Sequence, residues 1–359
     1  MARTRAPPGL KINEETVSSV EPPKGRPASI RDVARLAGVS HQTVSRVING
    51  HPSLRPVTRD KVLAVIDELQ FRPNRVARAL GSSRSRIIGV LASQRFQYGP
   101  SAAIQGIESA AQEAGYLVNT TNLAASTPEA IREALELQLD HMVDGLVIIA
   151  PQTRTLNAID QLSLDLPYVM LHSRSKNDPH EIFVDHLAGA RAATSHLIEL
   201  GHRDIYHLAG PQEWIEADAR MQGFLRELSD RDMPVIPPIL GDWTADFGYH
   251  AGIELARRRD FTAVFSSNDQ MALGLIHAIR DAGLDVPGDV SVVGFDDIPE
   301  ARHFWPPLTT VQQDFEELGR RCVGRLLNMS ERSLSMTPTP LAPRLVVRSS
   351  TAPPRPRRR

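Results

Sequence analysis

From Arg86 to about residue 350 the chain alternates between short β-rich runs and amphipathic stretches of helical length. The runs are RIIGVLA, YLVNTTN, GLVIIA, YVML, DIYHLAG, AVFSSND and VSVVGFDD. A strand with a parallel neighbour needs a long crossover, and a helix is the crossover that also buries a sheet face. The alternation therefore predicts an α/β body of parallel sheets with helices on both sides. So many strands suit two Rossmann-like lobes better than one.

At 359 residues the chain can hold two or three domains, each with its own core. Its single cysteine, Cys322, excludes an intrachain disulfide framework and points to a reducing cytoplasm. Cys322 stands at helical spacing with Phe315, Leu318 and Leu326, which marks a small core residue and not a nucleophile. No apolar run reaches the ~18 residues of a membrane helix, and residues 1–27 lack the apolar centre of a signal peptide. The net charge of −1 conceals an uneven distribution. Residues 1–86 carry 16 Lys/Arg against 7 Asp/Glu, whereas residues 87–359 carry 25 against 35. A basic head on an acidic body suggests a polyanionic partner for the head alone; a solvated charged surface is the plainer alternative.

Residues 1–27, rich in Pro, Arg and Ser without periodicity, are expected to form a disordered arm. Residues 28–73 read as three short helices. Ser29 can cap the first, with Asp32 at its third position and Ile30, Val33, Ala34 and Ala37 on one apolar face. Gly38 breaks that helix, and Ser40 can cap a second that runs to about Ile48. After the loop NGHPSLRP, Thr58 is expected to open the third, with Val62, Val65, Ile66 and Leu69 at core spacing. Such an arrangement is a helix-turn-helix unit. Residues 74–85 contain PNRVARALGSS, about two helical turns between Asn74 and Gly81, too short to be stable alone.

In SHQTVSRVING, Val44 and Val47 can pack on the first helix, which leaves His41, Gln42, Ser45 and Arg46 on the open face. Glutamine can bond an adenine edge bidentately, and arginine can do the same to guanine. Ser40, Thr43, Ser45 and Asn49 are short donors suited to phosphate oxygens. An ordinary surface helix is the alternative, and the basic context and preceding turn weigh against it.

The runs IRDVARLAGVSHQTVSRVING and RPVTRDKVLAVIDELQFRPNRVARAL resemble the DNA-binding head of the lactose-repressor/galactose-repressor family. The similarity continues through IGV, LGHRDIYHLAGP, SSNDQMALGLIHAI, VSVVGFDDIPEA and PPLTTVQQDFEELG, covering residues 29 to about 350. It implies an N-terminal all-α helix-turn-helix head on a two-lobed body like the periplasmic sugar-binding proteins, spanning residues 86–350. It also implies a homodimer whose second helices enter the major groove of a palindromic double-stranded operator, with His41, Gln42 and Arg46 at base-reading positions. Tyrosine is the lactose-type residue where His41 stands, so this operator is expected to differ at the facing base pair. Ala77 and Leu80 fall on hinge-helix positions. There the family pairs two helices in the minor groove, and Leu80 would be the wedge that unstacks a central step. A passive linker is the alternative.

In the body, Arg220 in ADARMQGF falls on the family's effector-binding arginine. Asn268 in SSNDQ and Asp296 in VGFDD fall on its polar ligands, Trp243 in GDWTADFG on its aromatic platform, and Gln313 near the crossover between lobes. A guanidinium and a carboxylate can clamp vicinal hydroxyls while an indole stacks on a sugar face. Local alternatives stay open: Asn268 or Asp269 as helix caps, Asp296 paired with Arg302, Trp243 as core. His172 stands where the lactose type has an aspartate, and His186 in VDH where many relatives have asparagine. That exchange suggests a different hydroxyl pattern or an anionic effector. Tyr98, Gly99, Pro100 and Ser101, at the first strand-to-helix turn, are candidates to complete the pocket.

VVRSSTAPPRPRRR carries no leucine heptads, so the tetramerising helix of the lactose type is not expected, and residues 351–359 read as a disordered basic tail. The function that follows is a cytoplasmic regulator, on the nucleoid when bound to DNA. It is expected to repress sugar-utilisation genes until a mono- or disaccharide releases it. A corepressor-dependent regulator answering to a purine is the alternative within this class. A sugar-binding transport component is disfavoured by the basic head and the lack of a signal peptide. An enzyme is disfavoured because no G-x-S-x-G elbow, P-loop, H-E-x-x-H or metal-spaced histidine set is present; no cofactor and no metal are expected.

Overall fold

The computed structural model describes residues 28–51, 53–72, 84–93, 96–123, 125, 127–150, 152–159, 164–172, 178–330 and 339–355. The expected arm, the hinge segment with Ala77 and Leu80, and residues 356–359 lie outside the described residues. The chain divides into two compact units, Met1–Arg84 and Ser85–Arg359.

In the first unit, Ser29 and Asp32 form a reciprocal capping box. The Ser29 hydroxyl accepts from Asp32 N at 3.4 Å, and the Asp32 carboxylate accepts from Ser29 N at 2.9 Å. This box starts α1, Ile30–Ala37, and Gly38 stops it in the left-handed region at φ +61°. Ser40 caps α2, His41–Ile48. The third helix, α3, spans Pro56–Glu68, so it opens two residues before the expected Thr58. A proline at the first helical position has its φ already set and lacks only an N–H that would go unpaired anyway. Val33, Ala37, Val44, Val47, Val62 and Val65 close the core of this unit, with Phe71 completing it. Each fully buried valine stabilises by about 1.5–3 kcal/mol relative to exposure.

The second unit holds two sheets. The first has the order β2–β1–β3–β4, all parallel, from Ile87–Ala92 (β1), Leu117–Asn122 (β2), Gly145–Ile149 (β3) and Tyr168–Met170 (β4). Helices α4 (Tyr98–Glu113), α5 (Pro128–Asp140) and α6 (Thr153–Ile159) follow its first three strands in chain order. Period-two alternation sends Ile88, Val90 and Val147 to one apolar cluster and Leu91, Leu146 and Ile148 to another.

The chain then crosses to a second sheet ordered β10–β9–β8–β7–β5–β6. Its strands are Ile205–Ala209 (β5), Ile239–Leu240 (β6), Ala263–Ser266 (β7), Ser291–Asp296 (β8), Thr309–Gln312 (β9) and Arg344–Val346 (β10). All pairs are parallel except β10 on β9. Helices α7 (His186–Glu199), α8 (Ile215–Asp230), α9 (Ala245–Arg258) and α10 (Asp269–Asp281) cover it. The seven expected strands are all present; β6, β9 and β10 are additional.

After β9 the chain returns to the first lobe as α11, Phe315–Ser330, whose Leu318, Cys322, Val323 and Leu326 join the first lobe's core. Cys322 is fully buried there, and burial pushes its thiol far up, as befits a packing residue. The C-terminal segment differs from the expected tail. Thr351 and Ala352 dock on the second lobe through His196, His202 and Ser291, at 2.9–3.0 Å, so the body extends through Arg355.

α11 lies against α4 at glycine contacts. A Cβ on Gly319 would sit 2.1 Å from the Gly106 carbonyl oxygen, and one on Gly106 would sit 2.1 Å from that of Phe315. Both obstacles are backbone and cannot rotate away. Gly319→Val is therefore expected to cost about 1–3 kcal/mol or more by overpacking, read as a fall of several degrees in the melting temperature of the body; an unchanged melt would refute the close approach.

Candidate functional site

The expected site residues among those described fall on two surfaces, one in each unit. On α2 about 100° of rotation separates successive residues. Val44 and Val47 therefore share the buried face, while His41, Gln42 and Arg46 are exposed and Ser45 is half-buried. The Ser40 hydroxyl accepts from Thr43 N at 3.1 Å and lies 2.9 Å from the Thr43 hydroxyl, so both sit at the amino end where N–H groups favour anions. Asn49 stands at the other end as the C-cap, 3.5 Å from the Ser45 hydroxyl. The amino-terminal argument for phosphate binding thus covers Ser40 and Thr43 and does not extend to Asn49.

In the body a cavity is lined by residues at and beyond the carboxyl ends of β1, β3, β4, β5, β6, β7, β8 and β9, where open α/β sheets bind ligands. Arg220, Asn268, Asp296, Trp243, Gln313 and His172 all line it. Ser101 does not. Tyr98, Gly99, Pro100 and Ala103 form that part of the wall, and the helical rotation carries Ser101 to the side of α4 away from Gly99 and Ala103.

Arg220 is held on three sides. Its Nε donates to His186 Nδ1 at 3.3 Å, an Nη donates to the Ser267 carbonyl, and the other donates to Asp296 at 3.3 Å. Its guanidinium lies 3.9 Å from the centroid of the Phe295 ring. Burial, then the neighbouring Arg220 charge, holds His186 well below its ordinary pKa, so its ring is neutral and a lone pair accepts. Asp296 also accepts from Gln313 Nε2 at 2.7 Å. Burial raises its carboxyl to about 6 against the opposing pull of Arg220 and Gln313. At neutral pH the result is a desolvated, hydrogen-bonded ion pair with a fixed orientation. Asp296 pairs with Arg220, 76 positions away, and not with Arg302, which is exposed.

The other local alternatives prove compatible with lining the cavity. Asn268 caps α10, accepting from Met271 N at 2.9 Å, and donates to the Trp243 carbonyl at 2.9 Å. Trp243 is buried and packs edge-to-face on Trp214 with centroids 5.4 Å apart. Its ring lies over Gly210, where a Cβ would come within 2.2 Å of it. The indole Nε1 is buried without a hydrogen-bond partner.

Trp214, Glu216 and Asp185 also line the cavity. They were not singled out from the sequence. The available signal was helical spacing: Glu216 precedes Arg220 by four residues and shares its face of α8. Among the described residues no group of His, Cys, Asp and Glu is arranged to hold a metal ion, and no helix is long and apolar enough to cross a membrane.

Comparison with known proteins agrees with this geometry. Residues 29–74 match the family described as bacterial regulatory proteins, lacI family, and residues 194–351 match a periplasmic binding protein-like domain. The lactose operon repressor of Escherichia coli (strain K12) is 37% identical over 308 residues, 85% of this chain and 86% of that protein. The transcriptional repressor PurR of Vibrio parahaemolyticus serotype O3:K6 is 32% identical over 333 residues, 90% of this chain and 98% of the relative. Among solved structures, the lac repressor dimer bound to operator and the anti-inducer ONPF superposes with a TM-score of 0.82 at 36% identity. That match covers 91% of this chain and all of the other.

Proposed function

The chain belongs to the lacI family of DNA-binding transcriptional regulators, and from that premise we propose that it is a repressor released from its operator by a sugar-type inducer. It acts in the cytoplasm as a homodimer on a palindromic site. His41, Gln42 and Arg46 read base edges; Ser40 and Thr43, at the amino end of α2, and Ser45 contact phosphates; Ala77 and Leu80 enter the minor groove. The observation that carries the inducer half is the buried Arg220–Asp296–Gln313 clamp beside Trp243, in a cavity at the strand ends. A guanidinium and a carboxylate locked together present a donor and an acceptor to adjacent hydroxyls, and an indole offers the apolar face a pyranose ring needs. Trp243 and its neighbours Asn268 and Met271 belong to the second lobe, so a ligand also touching Tyr98 or His172 bridges both lobes. Bridging favours one lobe arrangement over another, and a coupling of ~1–3 kcal/mol would change operator affinity ~5–150-fold.

The test is a mobility shift of the dimer on its own promoter fragment, at physiological salt, with a panel of mono- and disaccharides. Release by a sugar is the expected result. If a purine such as hypoxanthine or guanine tightens the complex and no sugar releases it, the protein is a corepressor-dependent regulator, the second reading within this class of repressors.

A further inference from the structure

Charge in the cavity does not balance. Among the described residues its wall holds three carboxylates, Asp185, Glu216 and Asp296, against one guanidinium, Arg220. Arg220 and Asp296 neutralise each other. Asp185 caps α7, accepting from Ala188 N at 2.9 Å. Glu216 stands in the first turn of α8, where the helix dipole favours a carboxylate. That role alone leaves a side chain in water, as it does for exposed Asp218 in the same turn. The Glu216 Oε2 atom is instead buried with no hydrogen-bond partner. Burial raises its carboxyl to about 7, so an unliganded site bears an unsatisfied acceptor close to its titration point.

The walls beside it are aromatic. Trp214 lies two residues before Glu216, and Trp214 and Trp243 meet edge-to-face within the cavity wall. The Trp243 Nε1 donor, nine-tenths buried, is a second polar atom without a partner. The Tyr98 phenol, which also lines the cavity, is pushed up to about 12, first by burial and then by the carboxyl groups of Asp296, Asp269, Asp297 and Glu300. A negative cavity walled by indoles attracts a cation, through the carboxylate and through the ring faces.

Resting on the reading of this cavity as the effector site, we propose that the effector is an amino sugar, its protonated amine donating to Glu216 and one of its oxygens accepting from Trp243 Nε1. The remaining hydroxyls meet the Arg220–Asp296 clamp. Glu216 and Trp243 then lose their unsatisfied atoms in the same event, and the surplus negative charge is offset.

The experiment is calorimetric titration of the full-length protein with D-glucosamine and D-galactosamine, their N-acetyl forms, and D-glucose and D-galactose. At least one amine is expected to bind tenfold or more tightly than both its N-acetyl form and its parent hexose. Glu216→Gln, checked for folding by its melt, is expected to erase that preference. Hexoses binding as tightly as the amines would overturn the amino-sugar proposal and leave the sugar-effector reading standing. Binding of none of the six overturns the amino-sugar proposal, while the sugar-effector reading is then decided by the disaccharides of the mobility-shift panel. An amine preference that persists in Glu216→Gln removes Glu216 from the contact.

Discussion

Arg220→Ala is expected to occupy its operator as the wild type does and to remain there at effector concentrations that release the wild type. The side chain touches the cavity and, in the body, anchors Asp296, the Ser267 carbonyl and His186. Alanine removes the donor fork and also leaves Asp296 buried without its counter-charge. Breaking a buried pair from one side costs about 3–5 kcal/mol, so the single variant should melt lower as well. Removing both charges separates the two effects: Arg220→Met with Asp296→Asn is expected to recover most of the stability and none of the response. The concentration of sugar giving half-release, read from operator-bound fluorescence anisotropy, should rise about ten- to hundredfold in both, the scale of losing a charged hydrogen-bonded contact. Half-release at the wild-type concentration would take Arg220 out of the site.

Which parts of this architecture were readable beforehand follows from the range of the interactions behind them. Ser29 with Asp32, and Ser40 with Thr43, are contacts three residues apart, so residue type and spacing contain the whole interaction. Buried strands such as β3 and β8 are apolar along most of their length and stand out for the same reason. β9 and β10 do not. Buried Thr309 and Thr310 are polar residues whose partners, Ser350 and Asp269, lie 41 positions away, and nothing local marks them as strand interior. The docking of Thr351 and Ala352 likewise depends on His196, His202 and Ser291, while the composition of the segment reads as tail. In the cavity the motifs located Arg220, Asn268, Trp243, Asp296, Gln313 and His172 one at a time. Their mutual geometry came only from the sheet order, which sets the ends of β7, β8 and β9 side by side. Trp214 and Glu216 escaped notice because a tryptophan and an acid at a helix start are unremarkable until the helix is seen to open on a cavity. The loss of a lactose-type carboxylate at His172 pointed toward an altered effector; a carboxylate is present in the same cavity after all, at Glu216, on the other lobe.

Arg46→Ala should lose specific operator binding while the effector still binds the body unchanged. Arg46 is exposed on α2, opposite the face that Val44 and Val47 bury, so its removal leaves the packing of the head intact. Surface substitutions of this kind change stability by about 0.5 kcal/mol or less. A bidentate arginine–guanine contact is worth about 1–3 kcal/mol of discrimination. A dimer on a palindrome makes it twice, which sets the expected loss at ~2–6 kcal/mol, from about thirtyfold to above ten-thousandfold. Non-specific affinity depends on phosphate charge and falls much less, and its salt dependence changes by at most about one ion per half-site. Ser40→Ala gives the contrasting pattern: a lost cap costing about 1 kcal/mol of head stability, with binding weakened evenly across sequences because phosphates carry no base identity. Anisotropy titrations of operator and scrambled duplex at two salt concentrations separate the patterns. A specific-to-scrambled ratio in Arg46→Ala equal to that of the wild type would mean that Arg46 does not read bases. Recognition would then have to come from His41 and Gln42 at the amino end of α2, or from the hinge.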